Sequence, residues 1–374
     1  MVEKMTTMDP SKTSMRLLSL DVMRGAIMIL LMLESTGFYE NLLLLGPSIP
    51  VKFIMLEFFH HPWHGLHFWD LVQPAFMFMA GISMAYSLHH QQINGVPWTT
   101  SFLKVLKRSG WLFFWGVLDY AVRKKGLSFE LWDVLTQLSF TTLVTFLIFK
   151  WSYRSQIIFS IGLLILTEVL YRYSNVAGFD QPFTDQHNFG NFMDLILMNK
   201  INSGGWVAIN CIPTAAHTIW GSIAGCLLIS NKKGSDKIKI LIISGVVAII
   251  LGYGLDLSIT PIIKRIATSS FVLVSGGWVL LILSLFYWGI HIMNNKKYVK
   301  FFVVVGMNSL FIYLFFEIVG SRWFNSYISS LSNGIMQLVG LPINIMEIVS
   351  SLVIFLLEWG LCFFLYKKRI FFKI

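Results

Sequence analysis

His60-His-Pro-Trp-His-Gly-Leu-His67-Phe-Trp-Asp70-Leu-Val-Gln-Pro-Ala-Phe-Met-Phe-Met-Ala-Gly-Ile-Ser83 couples a polar, histidine-dense turn to an apolar run. His60, His61, His64 and His67 fall within eight positions, and Pro62 and Gly65 oppose a regular helix across them. From Leu71 the chain stays apolar for about 20 residues, enough to cross a bilayer. Asp70 therefore stands at the mouth of a span, where an unpaired ionisable group is costly and marks a functional position. Histidine changes charge near neutral pH, so the cluster carries acid–base chemistry.

The same pattern extends along the whole chain. Of 374 residues, 55% are hydrophobic and 13% charged, with mean hydropathy +0.67, whereas a soluble domain carries about 25% charge. These values predict an all-α, polytopic integral membrane bundle forming one domain over 1–374. Apolar runs at 17–36, 67–90, 102–122, 131–149, 154–173, 207–230, 237–256, 268–293, 299–320 and 345–366 give ten spans. Segments 38–59 and 323–341 read as further interfacial or re-entrant helices, so about 10–11 transmembrane helices are expected. The polar tail 1–15 lacks the apolar core and cleavage site of a signal peptide.

The net charge of +10 does not point to nucleic acid, because the basic residues sit in short loops between apolar runs. With the N-terminus inside, nineteen Lys and Arg lie on the inner side and nine on the outer, Arg123-Lys-Lys125 being the discordant cluster. This bias predicts both termini cytoplasmic and the histidine turn outside, together with a polar loop at 174–205 that reads equally as a lid or a solvated connector. Cys211, Cys226 and Cys362 all lie in apolar segments and form no disulfide framework or metal-ligand spacing. No metal is expected at the histidines either.

Several polar residues fall inside spans. Asp21 and Arg24 share a helix face, so they form a structural ion pair or place Arg24 for an anionic ligand entering from the inner side. Glu34 reaches the level of the histidines, as their carboxylate partner or as a residue snorkelling to the interface. His217 reads as a helix–helix hydrogen bond before a ligand. Asn308, Tyr313 and Glu317 lie close to one helical face, with Asn308 and Ser309 able to serve as interhelical glue.

Four patches resemble heparan-α-glucosaminide N-acetyltransferase and its bacterial relatives. They are Arg16-Leu-Leu-Ser-Leu-Asp21-Val-Met-Arg24-Gly25; the run from His60 through Trp63, Gly65, Leu66 and Asp70 to Pro74; Pro261 to Val272 with Lys264; and Gly306-Met-Asn308-Ser309 through Tyr313 to Glu317. The chain departs from the family pattern at His64, at Ser35 beside Glu34, at Gln73 and at Ala267. The resemblance implies an enzyme that takes an acetyl group from cytoplasmic acetyl-CoA and gives it to an amino sugar or glycan on the far side of the membrane. It implies His60 as the active histidine, with His61 a rival and Asp70 orienting the ring. Asp21, Arg24, Asn308 and Ser309 are then the candidates for holding the acetyl donor. Glu34, Trp63, His64 and Lys264 are the candidates for the acceptor. His60 acts as general base or carries the acetyl group itself.

The expected setting is a bacterial inner membrane, with a lipid bilayer and a small-molecule or glycan acceptor as partners and homodimers compatible with the pattern. The rival class is a transporter or a non-enzymatic envelope-biogenesis subunit, in which Asp21, Arg24 and His217 line a path.

Overall fold

The computed structural model describes residues 17–122 and 127–372. Arg16, the tail 1–15, the Arg123–Lys125 cluster and Lys373 lie outside the described residues. Fifteen α-helices follow in order among the described residues: α1 (Leu18–Ser35), α2 (Phe38–Leu44), α3 (Ile49–Leu56), α4 (Val72–Ile93), α5 (Trp98–Ala121), α6 (Val134–Ile148), α7 (Tyr153–Tyr173), α8 (Phe189–Met198), α9 (Cys211–Ile229), α10 (Gly234–Ser258), α11 (Ser269–Tyr287), α12 (Val299–Gly306), α13 (Ser309–Leu314), α14 (Asn325–Gln337) and α15 (Ile343–Lys367). Wider π turns occupy Trp288–Ile292 and Phe315–Phe324. No strand occurs among the described residues, apart from one isolated bridge between His64 and Ile263.

The chain is a multi-pass helical membrane protein, and every one of the ten predicted ranges contains a helix. Six helices are long and apolar enough to cross a membrane outright, or seven if the bent pair Val299–Gly306 and Ser309–Gln337 is one span. The others fall short for identifiable reasons. Helix α1 carries Asp21, Arg24 and Glu34, α5 carries Lys104, Lys107, Arg108 and Asp119, and α6 has only 15 residues. The segment 38–59 forms the two short helices α2 and α3, and 323–341 contains α14.

Helices α4, α9 and α11 form the enclosed centre, with α4 packed on α9 and α10 on α11. In contrast, α7 and α10 turn Ile158, Ile161, Ile165, Ile243, Ile250 and Leu251 outward, as lipid-facing helices do. Helices α1 and α12 meet backbone to backbone. A Cβ on Gly25 would stand 1.9 Å from the Phe302 carbonyl oxygen, and one on Gly306 would stand 2.2 Å from that of Asp21. Gly25 closes the first sequence patch and Gly306 opens the fourth, so small residues there let two helices touch.

Helix starts follow local chemistry. Asp133 caps α6 by accepting from the Leu135 N–H at 2.7 Å, and Ser152 caps α7 by accepting from the Ser155 N–H at 3.2 Å. The loops after α3, α5, α7 and α10 gather at one end of the bundle, called here the histidine end. Lys232, Lys233, Lys296, Lys297, Lys367 and Lys368 mark the opposite, basic end.

Candidate functional site

The histidine turn folds without a helix, as its Pro and Gly require, and passes into a short 3-10 turn at Phe68–Leu71. Gly65 adopts φ +143°, and a Cβ there would press to 2.5 Å from His61 Nε2. Asp70 organises the turn. Its Oδ2 accepts from the backbone N–H of His67 at 2.9 Å and of His61 at 3.3 Å. Its Oδ1 lies 3.0 Å from His60 Nδ1. Asp70 is 1% exposed, so these partners are what makes the burial of its charge tolerable.

Lys264 reaches this carboxylate from the loop between α10 and α11. The loop is registered against the turn by the His64–Ile263 bridge and by the Gly65 N–H donating to the Ile262 carbonyl at 2.9 Å. His64 Nε2 pairs with Asp256 Oδ1 at 2.8 Å, and the Ile262 N–H donates to the same oxygen at 2.7 Å. Lys264 Nζ then sits 2.9 Å from His60 Nδ1 and 3.5 Å from Asp70 Oδ1. Trp206 covers the group, its ring centroid 5.6 Å from that of His60 and 5.2 Å from Lys264 Nζ. Trp206 is held by its neighbours: the Ala208 N–H donates to Asp194 at 2.8 Å, and Trp132 donates to the same carboxylate at 3.0 Å. The expected loop 174–205 is thus partly helical, through α8, and ties to the turn where Trp63 Nε1 donates to the Phe183 carbonyl at 2.8 Å.

His60 Nδ1 stands between an acceptor and a donor. When Nδ1 keeps its proton it donates to Asp70, and Nε2 presents a lone pair; when the ammonium donates into Nδ1, the proton resides on Nε2. Nε2 itself makes no hydrogen bond, and 36% of the side chain remains exposed. Surrounding protein and the Lys264 ammonium pull His60 down to about 4, against the opposing pull of Asp70. Burial pushes Lys264 down to about 8, with Asp70 holding it up. Between those values the group holds a neutral imidazole, a carboxylate and an ammonium.

The other histidines are placed differently. The His61 ring packs on His67, centroids 4.7 Å apart, and its Nδ1 has no partner. His67 Nδ1 pairs with the Phe59 carbonyl at 2.9 Å. Glu34 pairs with no histidine; it accepts from Trp69 Nε1 at 3.1 Å. His217 is fully buried, with Nε2 2.9 Å from the Val272 carbonyl oxygen and 3.1 Å from Ser275 Oγ, the interhelical role expected of it. Among the described residues, no three His, Cys, Asp or Glu side chains converge to hold a metal.

A second feature lies further along α4. A cavity of about 380 Å³ is walled by Phe76, Met79, Ala80, Leu112, Leu135 and Leu310, with Arg24 and Arg108 among its polar lining. Arg24 Nη1 pairs with Asp21 at 3.4 Å and Nη2 donates to Ser83 Oγ at 2.8 Å, so the sequence-level ion pair exists and also bridges α1 to α4. Among the described residues Arg108 has no hydrogen-bond or ion-pair partner; the side chain is half-buried, and its Nε is buried. Ser309 lines the cavity. Asn308 does not: its side chain donates to the Ile370 carbonyl at 3.1 Å and accepts from the Phe372 N–H at 3.0 Å. The amide therefore clamps the chain after α15, and through it places Phe372 in the cavity wall.

Sequence reasoning missed Trp206 and Asp256 altogether, and counted Arg108 only among the inner basic residues. Its position six residues inside the predicted span 102–122 was the available signal. No family model matches the chain, and no curated protein matches it.

Proposed function

We propose that the protein is a transmembrane acyltransferase that moves an acetyl group from acetyl-CoA to the amine of an amino sugar or glycan. The observation that carries this reading is the alignment of two sites along α4. The His60–Asp70–Lys264 group stands at the start of the helix, and the arginine-lined cavity opens along the same helix toward the basic end. Ser83 lies eleven residues after Val72, roughly 16 Å at the rise of an α-helix. That separation suits an extended pantetheine arm between its phosphates and its thioester.

Arg24 and Arg108 hold the phosphates in this scheme, guanidinium groups matching phosphate oxygens in pairs. Arg108, half-buried with no counter-charge among the described residues, fits such a ligand. The apolar walls accept the arm. His60 donates Nδ1–H to Asp70 and uses Nε2 as the base. The acceptor nitrogen attacks the thioester carbonyl carbon while Nε2 takes its proton. The tetrahedral adduct collapses, the C–S bond breaks, and the imidazolium returns the proton to the leaving thiolate. Trp206, beside His60, supplies an apolar wall for a sugar face. The Lys and Arg bias supports a basic end facing the cytoplasm of a bacterium, hence both termini inside and acceptor entry from outside. The resemblance of the four sequence patches points the same way.

The test uses purified protein in lipid nanodiscs with acetyl-CoA and glucosamine, reading free thiol and acetylated sugar. Both products should appear together and vanish in His60→Ala. Absence of both from the well-folded wild-type protein, with uptake of a labelled solute in proteoliposomes instead, would favour a transporter.

A further inference from the structure

One turn before the cavity-lining stretch of α4, and three residues after Asp70, Gln73 pairs with a second glutamine; neither side chain lines the cavity itself. Gln73 lies on the first turn of α4 and shares a face with Phe76, Ala80 and Ser83, the stripe that lines the cavity. Gln137 lies on α6 between the cavity-lining residues Leu135 and Leu138 and is 2% exposed. Gln73 Nε2 donates to Gln137 Oε1 across the two helices. Gln137 Nε2 donates in turn to the Trp132 carbonyl at 3.2 Å.

This chain of bonds fixes both amide orientations. A carbonyl oxygen accepts only, so the atom of Gln137 facing Trp132 is nitrogen and its oxygen faces Gln73. Gln73 must present its nitrogen to that oxygen. Its own Oε1 is left over, and it accepts no hydrogen bond. That oxygen is not among the buried polar atoms without a partner, so it is open to a ligand that reaches the space between α4 and α6.

We propose that Gln73, held by Gln137, is a hook for the pantetheine arm: its Oε1 accepts the N–H of the amide that adjoins the thioester. The inference rests on the acyltransferase reading and adds the subsite that aims the acetyl group. The hook stands three residues before Phe76, at the cavity end, and three after Asp70, at the chemical end. An amide held there directs the thioester carbonyl, which lies two methylenes and the sulfur further along the arm, toward His60. The sequence departs from the resembled family's pattern at this position, so the hook belongs to this chain.

The experiment compares two ligands by calorimetry in detergent: CoA, and its nucleotide half, 3′-phospho-ADP, which lacks the arm. Gln73→Leu should weaken CoA about five- to tenfold, the loss of one neutral hydrogen bond, and leave 3′-phospho-ADP unchanged. Gln137→Leu, which frees Gln73 without removing it, should weaken CoA less and also spare the nucleotide, whose unchanged binding reports intact folding in both variants. Unchanged CoA affinity in Gln73→Leu overturns the hook, and so does equal loss of both ligands, since the amides would then serve only the fold. A wild-type protein that binds neither ligand overturns the acyltransferase reading itself; one that binds CoA and acetylates equally well with and without Gln73 overturns only the hook.

Discussion

The two ends of α4 handle buried charge in opposite ways. At the histidine end the Asp70 carboxylate is fully engaged, with two backbone N–H groups, an imidazole and an ammonium around it. In the cavity, Arg108 finds no partner among the described residues, and its Nε is buried. The first site is built to exist without a ligand, its geometry set by the fold. The second leaves a half-buried cation that, on the proposed function, an incoming phosphate meets. On the proposed function, a preorganised base at one end of α4 and a cation without a partner further along it separate chemistry from binding, and that separation can be broken from either side.

The largest effect is expected at the preorganised end. His60→Ala should lower acetyl transfer on the order of 10²–10⁴-fold, as loss of a general base does, with CoA affinity unchanged. His61→Ala and His64→Ala should stay within a few-fold, because His61 Nδ1 has no partner and His64 pairs with Asp256. Rates and calorimetry on the three variants check this; a dead His61→Ala beside an active His60→Ala would move the chemistry by one residue.

At the cavity the contrast reverses. Arg108→Gln should weaken CoA and 3′-phospho-ADP alike by about 10–100-fold, since hydrogen bonds to charged groups contribute roughly 1.5–3 kcal/mol. The unliganded protein should become no less stable, because the substitution removes a charge with no counter-charge among the described residues. Thermal unfolding with and without CoA separates the two: only the ligand-induced rise in melting temperature should shrink. A drop in unliganded stability would instead make Arg108 part of the fold.

The difference between the ends also explains what the sequence could reveal. The bundle was legible, because apolar runs of span length state their own structure. His60 and Asp70 were legible too, being ten residues apart at the mouth of one span. Lys264 and Trp206 come from loops some 200 and 146 residues away, and only the register of the His64–Ile263 bridge and the anchoring of Ala208 by Asp194 bring them in. Asn308 reads from sequence equally as interhelical glue or as a donor-binding residue, because a polar side chain in a span looks the same whether it faces a cavity or clamps a chain end. The ten apolar ranges all hold helices, but charge in α1 and α5 and the shortness of α6 leave only six or seven apolar enough and long enough to cross a membrane outright.

A smaller effect tests how Lys264 tunes the base. His60 sits at about 4 with the ammonium beside it, so activity on the acid side should fall with a midpoint near that value. Lys264→Met removes a positive charge, which makes the imidazolium easier to form, and the midpoint should move up toward the ordinary histidine value. Stability follows the same sign. The folded state binds fewer protons at His60 than the unfolded chain, so stability is lost as pH falls from about 6.5 through about 4. That loss should be shallower in the variant. An unmoved acid limb in the kcat/KM profile would show that His60 is tuned by burial alone.

The smallest effect concerns the clamp that closes the cavity from the basic end. Asn308 uses both its amide nitrogen and its oxygen on the segment Ile370–Phe372, and Phe372 joins the cavity wall beside Arg108 and Tyr313. Asn308→Ala removes two neutral hydrogen bonds, roughly 1–3 kcal/mol of local stability. The bundle does not depend on them, so global unfolding should be nearly unchanged. Amide exchange at Phe372 should rise instead, because its N–H donates directly to Asn308. If the segment is a wall of the entry route, CoA should then associate and dissociate a few-fold faster at nearly the same affinity, while the His60 pH profile stays fixed. Faster exchange with unaltered CoA kinetics would leave the clamp a structural tie and place the entry route elsewhere on the arginine cavity.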